Sequence, residues 1–260
     1  MCEFLHEKFN EGYNSNTLNT MRSSIIVFTL NSLNLEEDIL IKKLFKYFFN
    51  FRPLKPKYTT FWPVSKLLEF LKTWFPIDSL DLKKLTLKTI ALMALTSSDR
   101  GQTLHLASPK SMTISEDKVE FIILDKTKTT RKVLRPIIIS CVSSTIPELD
   151  VANHVKAYLN LTKDHRKFDD KLFLSWKTLK PVSRQTLSRW LTTVLKSAGI
   201  NTEKYRAHSY RGSGLSKALK SGASVSQIVF AGNWSNSSTF FTHYNAPSDD
   251  SEIGRIILES

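Results

Sequence analysis

The stretch VSRQTLSRWLTTVLKSAGI carries the sharpest polarity pattern in the chain. Leu187, Trp190, Leu191, Val194, Leu195 and Ala198 recur three and four apart, the spacing of one helix face. Ser183 stands where an N-cap belongs, and Gly199 stands where a helix stops. Trp190 lies on the stripe and reads as core; Arg184 and Arg189 lie off it, toward solvent or phosphate. The same spacing runs through ELDVANHVKAYLNLT at Leu149, Ala152, Val155 and Leu159. It also predicts a short helix from Val64 to Trp74. A longer one starts at Ser79 or Asp81, with Leu82, Leu85, Ile90, Leu92 and Met93 on its apolar side, and TSSDRGQ ends it after Leu95. SVSQIVFAG is a further short helix, stopped by Gly232. Near the start, Ser15 or Asn16 caps a helix through TLNTMRSSIIVFTLNSL, and EEDILIKKLFKYFF forms a second.

Between the helical stretches the period changes. MTI, VEFIIL and RPIIIS are short and rich in isoleucine and valine, separated by the turn SEDK and the basic segment KTKTTRK. They predict a small antiparallel sheet of three strands. The fold class is therefore α+β and mostly helical. FRPLKPKYTTFWP holds three prolines among basic residues, and proline blocks helix continuation. The expected organisation is a helical segment at 1–55, a linker at 56–64 and a main domain at 65–260. Two to three helices in the first segment are too few to bury a core alone.

Charge narrows the class of partner. Lys and Arg number 37 and Asp and Glu 24, a net charge of +13, which favours a polyanion such as nucleic acid. Cys2 and Cys141 form neither a CxxC nor a disulfide framework, which fits a reducing compartment. The N-terminal MCEFLHEKFNEG is polar and mixed in charge, unlike a signal peptide. Apolar runs stay short of the ~20 residues that span a membrane. His105, His154, His165, His208 and His243 are scattered, with no HExxH and no P-loop. No metal or cofactor is expected, and no membrane partner.

The candidate chemistry sits near the C-terminus. AHSYRGSG places His208 and Arg211 at i and i+3, which share a helix face, and Gly212 and Gly214 keep the backbone beside them uncrowded. GNWSNSSTFFTHYNAP follows with Trp234 and Tyr244. Upstream, LMALTSSDRGQTLHL offers Arg100, and DKTKTTRK offers Lys128 and Lys126. Taken singly, each has a plain structural alternative: a helix-end arginine, solvated lysines, a core tryptophan, one tyrosine of seven.

Taken in order, they resemble the tyrosine recombinases, or phage-type integrases, and most of all the branch found in DIRS-type retroelements. That signature is an arginine after an early helix, a lysine in a β-turn, H-x-x-R, a histidine or tryptophan, then a tyrosine. Arg100, Lys128 (with Lys126 second), His208, Arg211, Trp234 and Tyr244 match it across residues 65–250. Thr103 stands where many members carry a carboxylate, and Tyr244 sits one residue later than in many bacterial members. The resemblance implies a DNA breaking-rejoining fold, preceded by part of a helical, SAM-like core-binding domain.

It also implies roles. A tyrosine oxygen attacks phosphorus and holds the strand as a 3′-phosphotyrosine, which conserves bond energy without ATP or metal. Two arginines suit the non-bridging oxygens, a lysine protonates the leaving 5′ oxygen, and His208 serves as base or donor. Trp234 donates its indole N–H or packs the tyrosine segment. The implied partners are double-stranded DNA and further copies of the chain in a synaptic tetramer. The implied location is the nucleus of a eukaryotic host or otherwise the cytoplasm. Two other readings stay open: a decayed recombinase that only binds DNA, and a type IB topoisomerase-like relaxer.

Overall fold

Apolar side chains gather in separate clusters along the chain, and the fold follows them. The computed structural model describes residues 1–28, 39–53, 60–124, 136–166, 171–234 and 237–243. It divides into two units, Met1–Lys57 and Tyr58–Ser260.

The first unit holds α1 (Cys2–Asn10), α2 (Ser15–Phe28) and α3 (Ile39–Phe51). Leu5, Phe9, Leu18, Ile41, Phe45 and Phe48 form its core, with Phe9 stacked on Phe48 at 4.3 Å. Arg52 lies over the Phe9 ring at 4.2 Å and donates to the Phe9 and Tyr13 carbonyls at 3.1 and 3.3 Å. Helix α1 has no counterpart in the sequence reading, because only two of its nine residues are buried and the rest look polar. Those two, Leu5 and Phe9, give the segment a small core of its own. The α2 cap also shifts: Asn14 Oδ1 accepts from Thr17 N at 3.0 Å, so Ser15 and Asn16 already lie inside the helix.

The proline-rich stretch ends in Phe61 and Trp62, which pack into the second unit. Trp62 is 3% exposed and donates its indole N–H to Ser209 Oγ at 2.8 Å. Helices α4 (Val64–Lys72) and α5 (Leu82–Thr96) follow. Asp81 caps α5, accepting from Lys84 N at 2.6 Å. The sequence gives α5 one apolar side, yet every residue from Leu85 to Leu95 is buried. Helices α7 (Val151–Thr162), α8 (Arg184–Ser197) and α9 (Ser209–Lys220) wrap it, so its polar side chains are enclosed as well. Lys88 is one of them, and its ammonium donates to the Trp74 carbonyl at 2.5 Å.

Between α5 and α7 lie the short helix α6 (Gly101–Leu106) and the strands β1 (Met112–Ile114), β2 (Lys118–Ile123) and β3 (Ile137–Val142). They form one antiparallel sheet in the order β1-β2-β3. The register pairs Val119 with Cys141 and Phe121 with Ile139, and these residues face the core. Helix α8 forms as its pattern dictates. Ser183 accepts from Thr186 N at 3.2 Å, the six stripe residues are buried, and Gly199 ends the helix at φ +69°, in the left-handed region. Trp190 stacks on Trp176 at 4.3 Å. Helices α10 (Val225–Ala231) and α11 (Ser238–His243) complete the described chain. No described helix is long and apolar enough to cross a membrane.

Candidate active site

Two glycines bring α9 close to its neighbours. A Cβ at Gly214 would meet the Leu95 carbonyl oxygen at 2.6 Å, and a Cβ at Gly212 would sit inside the Phe61 ring. The helix therefore lies against the end of α5 at a distance only glycine permits. That contact turns Arg211 toward the loop that follows α5.

Arg211 is the centre of the arrangement. It is 2% exposed. Its Nη1 donates to the Ser98 carbonyl at 2.8 Å, and its Nη2 donates to the Gly232 carbonyl. Ser98 is buried and adopts φ +54°, uncommon for a residue with a side chain. The guanidinium carbon lies 4.5 Å from the centre of the Trp234 ring, within cation–π range. One side chain thus ties the Ser97–Arg100 loop to the Gly232–Trp234 turn. Trp234, 9% exposed, belongs to a small cluster with Leu215, Ile228 and Phe240, and its ring lies 5.7 Å from that of Phe240 in α11.

Arg100 is half-buried at the N-cap of α6 with extended backbone, and so begins a helix rather than ending one. Thr103, one turn on, is buried in α6. His208 is exposed at the N-cap of α9, one turn before Arg211. Between the two arginines stands Asp99, which the sequence reading passed over. Burial pushes its carboxyl up to about 7, against the opposing pull of Arg211, a Ser97 hydrogen bond and Arg100. Cys141, across on β3, is pushed up to about 12 by burial and by the Asp99 charge.

The structure thus brings Arg211, Trp234 and the Arg100 loop together, with His208 at the start of the same helix. Lys126, Lys128 and Tyr244 lie outside the described residues. In sequence, the two lysines fall between β2 and β3, and Tyr244 directly follows the last residue of α11. Asp99, Ser98 and Gly232 carried no periodic signal; an acid beside an arginine in SSDR was the single clue.

The phage integrase family model matches residues 63–251, most of the chain. The chain belongs to the phage integrase family. Solved structures of similar fold include the Tn1549 transposon integrase in complex with transposon right end DNA. It is 14% identical at a TM-score of 0.62, over 100% of this chain and 84% of that one. XerA recombinase is 15% identical at a TM-score of 0.56, over 99% of this chain and 89% of that one. XerH site-specific recombinase bound to difH substrate is 16% identical at 0.55, over 76% of this chain and 53% of that one. The chain therefore spans about half the length of XerH. At these identities the likeness is one of fold. A comparison with curated proteins gave no match.

For a phage integrase family member, the meeting of Arg211, Trp234 and the Arg100 loop falls on the residues expected from the sequence. A phosphate arriving at Arg211 competes with two backbone carbonyls for its N–H groups. A buried guanidinium held this way is fixed in place and stays charged at any physiological pH.

Proposed function

We propose that this chain is a site-specific DNA recombinase or integrase that cleaves and rejoins DNA through a 3′-phosphotyrosine on Tyr244, without metal or ATP. The observation that carries the reading is the buried Arg211, joined to Trp234 and to the Arg100 loop, within a family match over residues 63–251. In the reaction, the Tyr244 oxygen attacks phosphorus and the bond to the 5′ oxygen breaks. The phenolic proton passes to a base, for which His208 is placed, and Lys128 or Lys126 protonates the leaving 5′ oxygen. Arg100 and Arg211 neutralise the charge that builds on the non-bridging oxygens. Trp234 holds the segment that bears the tyrosine through its contact with Phe240.

The first unit acts as part of a core-binding domain. A groove between α2 and α3, lined by Asn16, Asn19, Arg22, Lys42 and Lys46, gathers three cations and two amides suited to phosphate. The partners are double-stranded DNA and other copies of the chain in a synaptic tetramer. The ordered residues from Arg100 to Tyr244 fit descent from a mobile element of the DIRS type, working in the nucleus of a eukaryotic host or otherwise in the cytoplasm. A second reading, a recombinase that only binds DNA, draws on the burial of Arg211 and the occupation of its nitrogens by carbonyls.

A suicide-substrate assay separates the two. The protein is mixed, without metal, with nicked DNA from the ends of the parent element and run on a denaturing gel. The enzyme reading expects a covalent protein–DNA band that Tyr244→Phe removes. Salt-dependent binding without any band supports the binding-only reading, since phosphate contacts dominate affinity in either case.

A further inference from the structure

Asp99 occupies a place for which the reaction above has no task. It precedes Arg100, and the residue before it, Ser98, accepts the Arg211 hydrogen bond at 2.8 Å. Its own N–H donates to Ser97 Oγ at 3.2 Å, folding the loop back on itself. Its carboxyl group meets Arg211 from α9, Arg100 from the start of α6, the Ser97 hydroxyl and, from β3, the buried Cys141 thiol. A guanidinium binds carboxylate and phosphate through the same fork, so Asp99 competes with DNA for the arginines.

We propose that Asp99 is the counter-ion of Arg100 and Arg211 in the DNA-free protein, and that it takes up a proton when a DNA phosphate replaces it. The inference rests on the reading of these arginines as the phosphate site. Before DNA arrives the arginines face one carboxylate; afterwards they face a phosphodiester as well. Two anions sharing one pair of cations repel, and the phosphodiester cannot protonate near neutral pH, so the carboxyl does. Asp99 already lies at about 7 because of burial. A phosphate that offsets the pull of the arginines raises it further, which places proton uptake at and above neutrality. The sign follows from linkage: DNA affinity weakens as pH rises through about 7, by at most about tenfold per pH unit for one proton. Asp99 is thus a positioning residue, holding the empty site in order and setting the pH range over which phosphate enters it.

The test is calorimetric titration of the full chain with the nicked parent-element duplex, in buffers of different ionisation enthalpy, on both sides of pH 7. Wild type takes up about one proton per site near and above neutrality. Asp99→Asn takes up markedly less, and its affinity falls less with pH; Asp99→Glu restores the uptake. Asparagine keeps the shape of the side chain, and melting below pH 7, where the acid is neutral, checks that the variant folds. Uptake in Asp99→Asn equal to wild type, as exposed His208 alone would give, overturns the proposal, and so does the absence of uptake in wild type. Covalent capture is scored separately. Asp99-dependent uptake without a covalent band retains the counter-ion and sinks the recombinase reading; a band without such uptake does the reverse.

Discussion

Helix α8 and the Arg211 junction are built in opposite ways. Six apolar residues place α8 in the core, a serine caps it and a glycine ends it, so several weak signals agree. The junction depends on one side chain, Arg211, which reaches the Ser98 and Gly232 carbonyls and the Trp234 ring from three separate stretches of chain. Redundancy makes the first robust to single changes of moderate size. Convergence makes the second sensitive to one atom group, a property suited to a site where DNA replaces protein contacts.

Arg211→Ala presses hardest on this contrast. It leaves two buried carbonyls without their charged donor and opens the Trp234 face, and a loss of about 3–5 kcal/mol in urea unfolding is expected, with covalent capture abolished. A loss below the range of an ordinary surface substitution would show that the junction does not hold the fold. Trp190→Ala should cost a similar ~3–5 kcal/mol through the cavity it leaves against Trp176. Its effect on capture should vanish once the variant is assayed well below its melting temperature, unlike that of Arg211→Ala.

These two variants mirror what could be read from the sequence. The mostly helical α+β class, the three strands and α8 with its cap and stop were legible because each rests on a repeated local pattern. Helix α1 was not, since two buried residues make no period. The all-round burial of α5 was also hidden: Thr86, Lys88 and Thr89 look like a solvent face until three helices enclose them. In the site, Arg211 and Trp234 could be named from their order along the chain, but not the carbonyls they would meet. Asp99 was missed because its meaning depends on α9 and β3, more than forty residues away in the case of the strand.

Gly214→Ala tests the approach that aims Arg211. Its Cβ would fall 2.6 Å from the Leu95 carbonyl, a backbone atom with little room to give. A cost of about 1–3 kcal/mol is expected, with capture reduced more than stability alone explains. An unchanged melting curve would contradict the close packing of α9 on α5.

The smallest expected effect concerns Lys88, on the core side of the comparison. Burial lowers it to about 8 from an ordinary 10.5, against the raising influence of Glu148. Its folded value lies below the unfolded one, so the fold releases this proton first, and stability gains from this group as pH rises from about 8 toward 10.5. Lys88→Met should flatten that segment of the stability–pH curve. A wild-type curve whose slope there is unchanged by the substitution would place the lysine in water.

The most direct measurement is to trap the protein on a nicked duplex, digest it and identify the peptide that carries the nucleotide. The account predicts a phosphodiester on Tyr244, in the peptide that follows α11, and loss of the adduct in Arg211→Ala at a temperature where that variant is folded. An adduct on another tyrosine, such as the buried Tyr205 or Tyr210, or an adduct that persists without Arg211, would contradict it.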